Sequence, residues 1–187
     1  LGEGAKIVLV FQAEAVVADY LQSYKDVTAE PKAAPGKTLL YFYSIPSERN
    51  EWFNNYSYID TMAKEPVQAF IDSTYEAYKK AVGKEFGKTV PGIFTDEPCY
   101  LMKNDFPGGA IPWTPKMPEV FKQKYGYDYY DVLPELYYRT KNAQKIRVDF
   151  YTNATQMFID AFGKPLYEWC EKNNIDFTGH YMCEDNL

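Results

Sequence analysis

The chain has 187 residues, 46% hydrophobic and 25% charged, which is ordinary usage for a globular domain able to bury a core. Its formal net charge of −6, with no run rich in Lys and Arg, argues against a nucleic-acid partner. No stretch approaches ~18 consecutive apolar residues and no signal peptide is visible, so no membrane partner is predicted. Both ends look like cut ends of a larger multidomain chain, which leaves a cytoplasmic, periplasmic or secreted location open.

Aromatic residues make up 18% of the chain, with 18 Tyr, 12 Phe and 3 Trp. Tyr and Trp stack on flat apolar faces and also donate hydrogen bonds, as carbohydrate sites require, although core packing explains most of them. The three cysteines lack CxxC spacing, so we expect neither a structural zinc site nor a disulfide framework. A single histidine excludes a multi-histidine metal site within this sequence.

The first predicted elements are three β-rich runs within residues 6–44, "KIVLVFQA", "AVVADYLQSY" and "KTLLYFYSI". Branched and aromatic residues bounded by turn signals predict an antiparallel meander. We therefore divide the chain into a small antiparallel β element at residues 1–46 and an α/β region at residues 47–187.

The second region alternates helices with strands. Apolar residues from Val67 to Val82 recur at helical spacing, and the strand "TVPGIF" follows. A long connection at residues 99–145 contains short helical pieces around 118–125 and 131–138, with tyrosines in "YGYDYYD" that would pack them. A helix from about Lys145 to Asn173, which Pro165 would kink or break, leads to the last strand, "IDFTGHYM". This alternation predicts parallel strands with crossover helices.

Carboxylates follow both of these strands. Asp96 and Glu97 end the first, and Glu184 lies just beyond the second. Active sites of parallel α/β folds form at the carboxyl edge of the strands. Glycoside hydrolysis needs two carboxyl groups, one that protonates the leaving oxygen and one that acts as nucleophile or activates water. Glu97 is the preferred acid, since repulsion from Asp96 would favour its protonated form. Alternatively, Asp96 caps the next turn, Glu97 is solvated, and Glu184 is frayed near the end of the sequence.

Three further residues are candidates for substrate binding. Strand alternation places His180, Met182 and Glu184 on one side, and Gly179 would leave space beside His180 to bond a sugar hydroxyl or orient a carboxylate. A core histidine is the alternative. Trp113 and Trp52 are candidate stacking platforms, and for each a hydrophobic plug under a loop is the alternative.

The runs "GIFTDEP", "KQKYGYD" and "FTGHYMCED" resemble the catalytic region of bacterial glycoside hydrolases of the alpha-L-rhamnosidase-like type. The resemblance covers residues 38–187 and is most specific in "GIFTDEP" and "FTGH". It implies part of a (β/α)8 TIM barrel with a small antiparallel β insertion at its N-terminus. "TDEP" is also similar to the Asn-Glu-Pro of many barrel glycosidases, which implies an acid/base role for Glu97, with Asp96 standing where those enzymes have Asn.

The resemblance further implies a glycoside hydrolase acting on an oligosaccharide or polysaccharide. It requires no cofactor, although some members hold calcium near the sugar, and Asp96, Glu97 and Glu184 are then alternative ligands for that cation. The remaining alternatives are a non-catalytic carbohydrate-binding module and a structural module of a larger protein.

Overall fold

The computed structural model describes residues 4–100 and 109–182, with only the backbone of residues 15–17. Its class is mixed α/β, as predicted. The strands in chain order are β1 (Lys6–Val17), β2 (Tyr20–Asp26), β3 (Thr38–Ser44), β4 (Arg49–Asn50), β5 (Tyr56–Ser57), β6 (Gly92–Asp96) and β7 (Asp176–His180). The α-helices are α1 (Lys64–Phe70), α2 (Glu76–Val82), α3 (Met117–Tyr125), α4 (Pro134–Tyr137), α5 (Ala143–Phe158) and α6 (Lys164–Lys172).

The described residues divide into two compact units. The first contains those within Leu1–Tyr58 and Asn104–Asn153, and the second those within Ile59–Lys103 and Ala154–Leu187. The long connection predicted after β6 therefore contributes most of its length to the unit that holds the N-terminal sheet. Among the described residues, no helix is long and apolar enough to cross a membrane.

The N-terminal sheet is antiparallel, as predicted, but the meander is wrong. Strand β1 lies between β2 and β3 and pairs with both. The boundary between the first two predicted runs is also misplaced. Strand β1 contains the first run and the start of the second, to Val17, and the chain then turns back at once, with Ala18 at a positive φ of 55°. The connection after β2 then returns the chain to the other edge of β1, so β3 pairs there instead of with β2.

The helical part of the first unit packs on an aromatic core. Tyr129 is buried and contacts the rings of Phe121 and Phe150. This contact confirms that the tyrosine-rich run packs small helices. The segment also joins the sheet, since the Leu21 N–H donates to the Arg139 carbonyl at 2.9 Å.

Two helical segments form the apolar part of the second unit. A π turn at Ile71–Tyr75 joins α1 to α2, and another at Ile159–Gly163 joins α5 to α6. Pro165 lies in the first turn of α6, directly after this wider turn, so the helical segment continues through a proline expected to kink or break it. Leu166 and Cys170 are fully buried, and α6 packs against β7.

Strands β6 and β7 form the predicted parallel pair. Gly92 lies opposite Asp176, and the register continues to Asp96 opposite His180. Neighbouring side chains on parallel strands share a face, so Phe94, Asp96 and His180 lie on one face. Phe94 is 61% exposed, whereas Ile93 and Phe177 of the other face are half-buried. One face of the β6–β7 pair therefore carries Asp96 and His180 at its carboxyl end.

Candidate active site

The candidate site begins where β6 ends. Asp96 is the last residue of the strand, and Glu97 follows with a left-handed φ of 47°. A non-glycine residue in this region costs about 1–3 kcal/mol unless its surroundings stabilise it. Here the Glu97 N–H donates to the His180 carbonyl at 3.0 Å. The bend turns Glu97 out of the strand alternation and leaves both carboxylates exposed.

The residues after Glu97 are fixed within the second unit. Pro98 and Cys99 are buried, and the Thr61 hydroxyl donates to the Cys99 carbonyl at 2.6 Å. The ring of Tyr100 packs edge-on against Phe158. Glu97 is therefore held between a strand and an anchored segment, which favours a constant position for its carboxylate.

His180 lies opposite Asp96 in the register and contacts it directly. Its Nε2 is 3.2 Å from Asp96 Oδ1, with the His180 side chain 37% exposed and that of Asp96 77% exposed. The ring of Phe94 meets the imidazole in a T-shaped contact with centroids 5.6 Å apart. Sequence analysis missed Phe94, although its position two residues before Asp96 placed it on the same face.

The expectation that Gly179 leaves space beside His180 is wrong. Gly179 has a φ of 136°, and a Cβ built on it would lie 2.0 Å from the Thr95 carbonyl oxygen. The backbone of β6 occupies that space, so glycine is required for the close approach of the strands. The expected alternation beyond His180 is also wrong for Met182, because β7 ends at His180 and Met182 lies in a turn.

The remaining candidates are not among the described residues of the second unit. Glu184 lies outside the described residues, so its pairing with Glu97 stays a prediction. Trp52 and Trp113 belong to the first unit. Trp52 is 89% exposed, and Trp113 is 41% exposed with its indole N–H donating to the Tyr130 hydroxyl at 3.1 Å. Their roles in binding sugar stay predictions.

Cys170 is a buried thiol of the second unit. Burial raises the pKa of the Cys170 thiol to about 11, so the nucleophilic thiolate is scarce near neutral pH. Residues 4–100 and 109–182 contain no group of three or more His, Cys, Asp or Glu side chains placed to hold a metal ion. Asp96 and Glu97 alone fall short of the six to eight oxygens that calcium takes. Calcium binding that includes Glu184 therefore stays a prediction.

Comparisons with known proteins concern the family and the fold of the chain. The sequence profile of a family described as alpha-L-rhamnosidase matches residues 54–183, well over half of the chain. A solved structure of a rhamnosidase from Novosphingobium sp. PP1Y is similar in fold, with a TM-score of 0.55 and 18% sequence identity. The similarity covers 86% of this chain but only 17% of that one. No curated protein matches.

Proposed function

The chain belongs to the alpha-L-rhamnosidase family, and from this premise we propose that it forms part of the catalytic region of an enzyme that cleaves O-glycosidic bonds. The proposed substrate is a rhamnose-containing oligosaccharide or polysaccharide. In the whole protein, β6 and β7 would be neighbouring strands of a (β/α)8 barrel closed by segments outside the described residues. Glu97 would be the general acid.

One observation carries the proposal: Asp96, Glu97 and His180 meet at the carboxyl end of a parallel strand pair. Catalytic residues of parallel α/β folds are placed at this edge. The left-handed φ of Glu97 supports the assignment, because costly backbone conformations cluster at functional sites. The Glu97 backbone is also held by its N–H bond to β7 and by the buried residue Cys99 that follows it closely.

In the proposed reaction, Glu97 donates its proton to the glycosidic oxygen as the bond to the anomeric carbon breaks. The leaving sugar then departs as a neutral alcohol, and a water molecule attacks the anomeric carbon. A second carboxylate takes the proton of this water in an inverting mechanism, and Glu184 is the proposed base. The carboxyl group of Asp96 lies beside the acid and would face the oxocarbenium-like transition state.

The test uses the enzyme that contains this chain, with Glu97→Gln as the variant. Gln keeps the size and the hydrogen-bonding capacity of the side chain, but its amide is too weak an acid to transfer a proton to the leaving oxygen. We expect turnover of a rhamnose-containing oligosaccharide to fall by about 10²–10⁴-fold, the usual contribution of general acid catalysis, with an unchanged melting temperature. Glu168→Gln, an exposed change on α6, is the matched control and should retain full turnover. Near wild-type turnover in Glu97→Gln would remove Glu97 from the mechanism.

A sugar-binding role without turnover is the second candidate, and the exposure of Trp52 favours it. A wholly exposed Trp contributes little to folding, whereas it provides a flat face for a sugar ring. Release of reducing sugar separates the two candidates. A binding module would bind oligosaccharide without any release, and Glu97→Gln would then have no rate to lower.

A further inference from the structure

One residue of β7, His180, contacts both acidic residues at the end of β6. The His180 carbonyl accepts the Glu97 N–H at 3.0 Å, and the His180 Nε2 lies 3.2 Å from Asp96 Oδ1. The backbone of His180 thus fixes where Glu97 leaves the strand, and its side chain fixes Asp96.

Phe94 restricts the imidazole from another direction. Its ring makes a T-shaped contact with His180 at an interplanar angle of 73°. Because Phe94, Asp96 and His180 share one face of the strand pair, the imidazole lies between an aromatic ring and a carboxylate. Such an arrangement favours one orientation, in which Nε2 faces Asp96 Oδ1.

Gly179 allows this orientation. Any side chain at residue 179 would collide with the backbone of Thr95, which lies directly opposite. The collision would displace β7 from β6 at the position before His180 and Asp96. Gly179 and His180 of the "FTGH" run therefore both contribute to the contact between His180 and Asp96.

We propose that His180 is a positioning residue, which acts through Asp96 and the Glu97 backbone and not through a hydrogen bond to the sugar. This inference rests on the proposed function, since it assigns a role within the same site. It also assigns a role to Asp96: a carboxylate held in a fixed direction by β7, and not a cap of the turn that follows. Loss of the imidazole should lower kcat with little change in KM, since the sugar loses no direct contact.

A pair of substitutions isolates the contact between the imidazole Nε2 and Asp96. The amide nitrogen of Gln can reach the place of Nε2, whereas that of the shorter Asn cannot. Both variants keep the backbone bond to Glu97. We expect His180→Asn to lower kcat by about 10–100-fold, the value of a hydrogen bond to a charged group, and His180→Gln to restore most of it. Melting temperatures of the two variants identify any loss caused by misfolding.

A double-mutant cycle with Asp96→Asn tests whether His180 acts through Asp96. If it does, adding His180→Asn to Asp96→Asn should change kcat by less than about threefold, because the contact is already lost. Full additivity, or a raised KM in His180→Asn with unchanged kcat, would overturn the proposal and indicate direct contact with the sugar. Glu97→Gln is measured in parallel. If it is inactive while the cycle is additive, the proposed function stands and only the role of His180 fails.

Discussion

Gly179→Ala is the substitution for which the structure predicts the largest loss of stability from one methyl group. Two costs combine at this residue. A φ of 136° is one that L side chains rarely adopt, which costs about 1–3 kcal/mol. The new Cβ would also lie 2.0 Å from the Thr95 carbonyl oxygen, and such overpacking costs typically about 1–3 kcal/mol. We therefore expect the free energy of unfolding to fall by about 2–6 kcal/mol.

Two other glycines of the same unit separate these costs. At Gly92 an added Cβ would meet the Asp176 carbonyl oxygen at 2.7 Å without a positive φ, so only overpacking applies. At Gly83 the nearest atom is 3.4 Å away and φ is ordinary, so Ala should be neutral or stabilising by up to about 1 kcal/mol. Urea denaturation of the three Ala variants gives the order Gly83, Gly92, Gly179 from least to most destabilised. A Gly179→Ala protein as stable as Gly83→Ala would refute the strand register from which the site is built.

Three further outcomes follow from contacts in the described residues. Thr61→Val removes the hydroxyl that donates to the Cys99 carbonyl and should lower the free energy of unfolding by about 1–3 kcal/mol. Thr61→Ser keeps the hydroxyl and loses only one buried methyl group, so urea denaturation should show a smaller loss of about 1 kcal/mol. Burial raises the pKa of the Cys170 thiol to about 11, so its thiolate fraction stays small until the pH approaches that value. Mass spectrometry after iodoacetamide treatment at pH 8 should therefore find Cys170 unmodified until the protein unfolds. Trp52→Ala should change the free energy of unfolding by less than about 0.5 kcal/mol and weaken oligosaccharide binding in a titration; a large loss of stability would instead show that Trp52 packs inside the whole protein.

Local patterns predicted most of the second unit. Apolar spacing from Val67 to Val82 found the segment that is helical from Lys64, and the run ending at Asn173 found α5 and α6 to within a few residues. Helix–strand alternation also predicted that β6 and β7 are parallel. These features depend on side chains close in sequence, where helical and strand periodicities are visible.

The contacts that complete the candidate site depend on residues far apart in the chain. Asp96 meets His180 only through the register of β6 and β7, which the close approach at Gly179 helps to fix. The left-handed bend at Glu97 has no sequence signal, since glycine and asparagine are the residues expected there. The order of the N-terminal strands was missed for a similar reason, because the pairing of β3 with β1 brings together residues far apart in the chain, from Lys6 opposite Ser44 to Ala13 opposite Thr38.

The dependence of Glu97→Gln on the leaving group tests the central claim most directly. A rhamnoside whose leaving group is a dinitrophenolate needs little protonation, whereas an alkyl or sugar leaving group needs a general acid. If Glu97 is that acid, Glu97→Gln should lose about 10²–10⁴-fold in kcat on a disaccharide and much less on the dinitrophenyl substrate. Equal losses on both substrates would contradict the assignment, because Glu97 would then serve structure or binding and not proton donation.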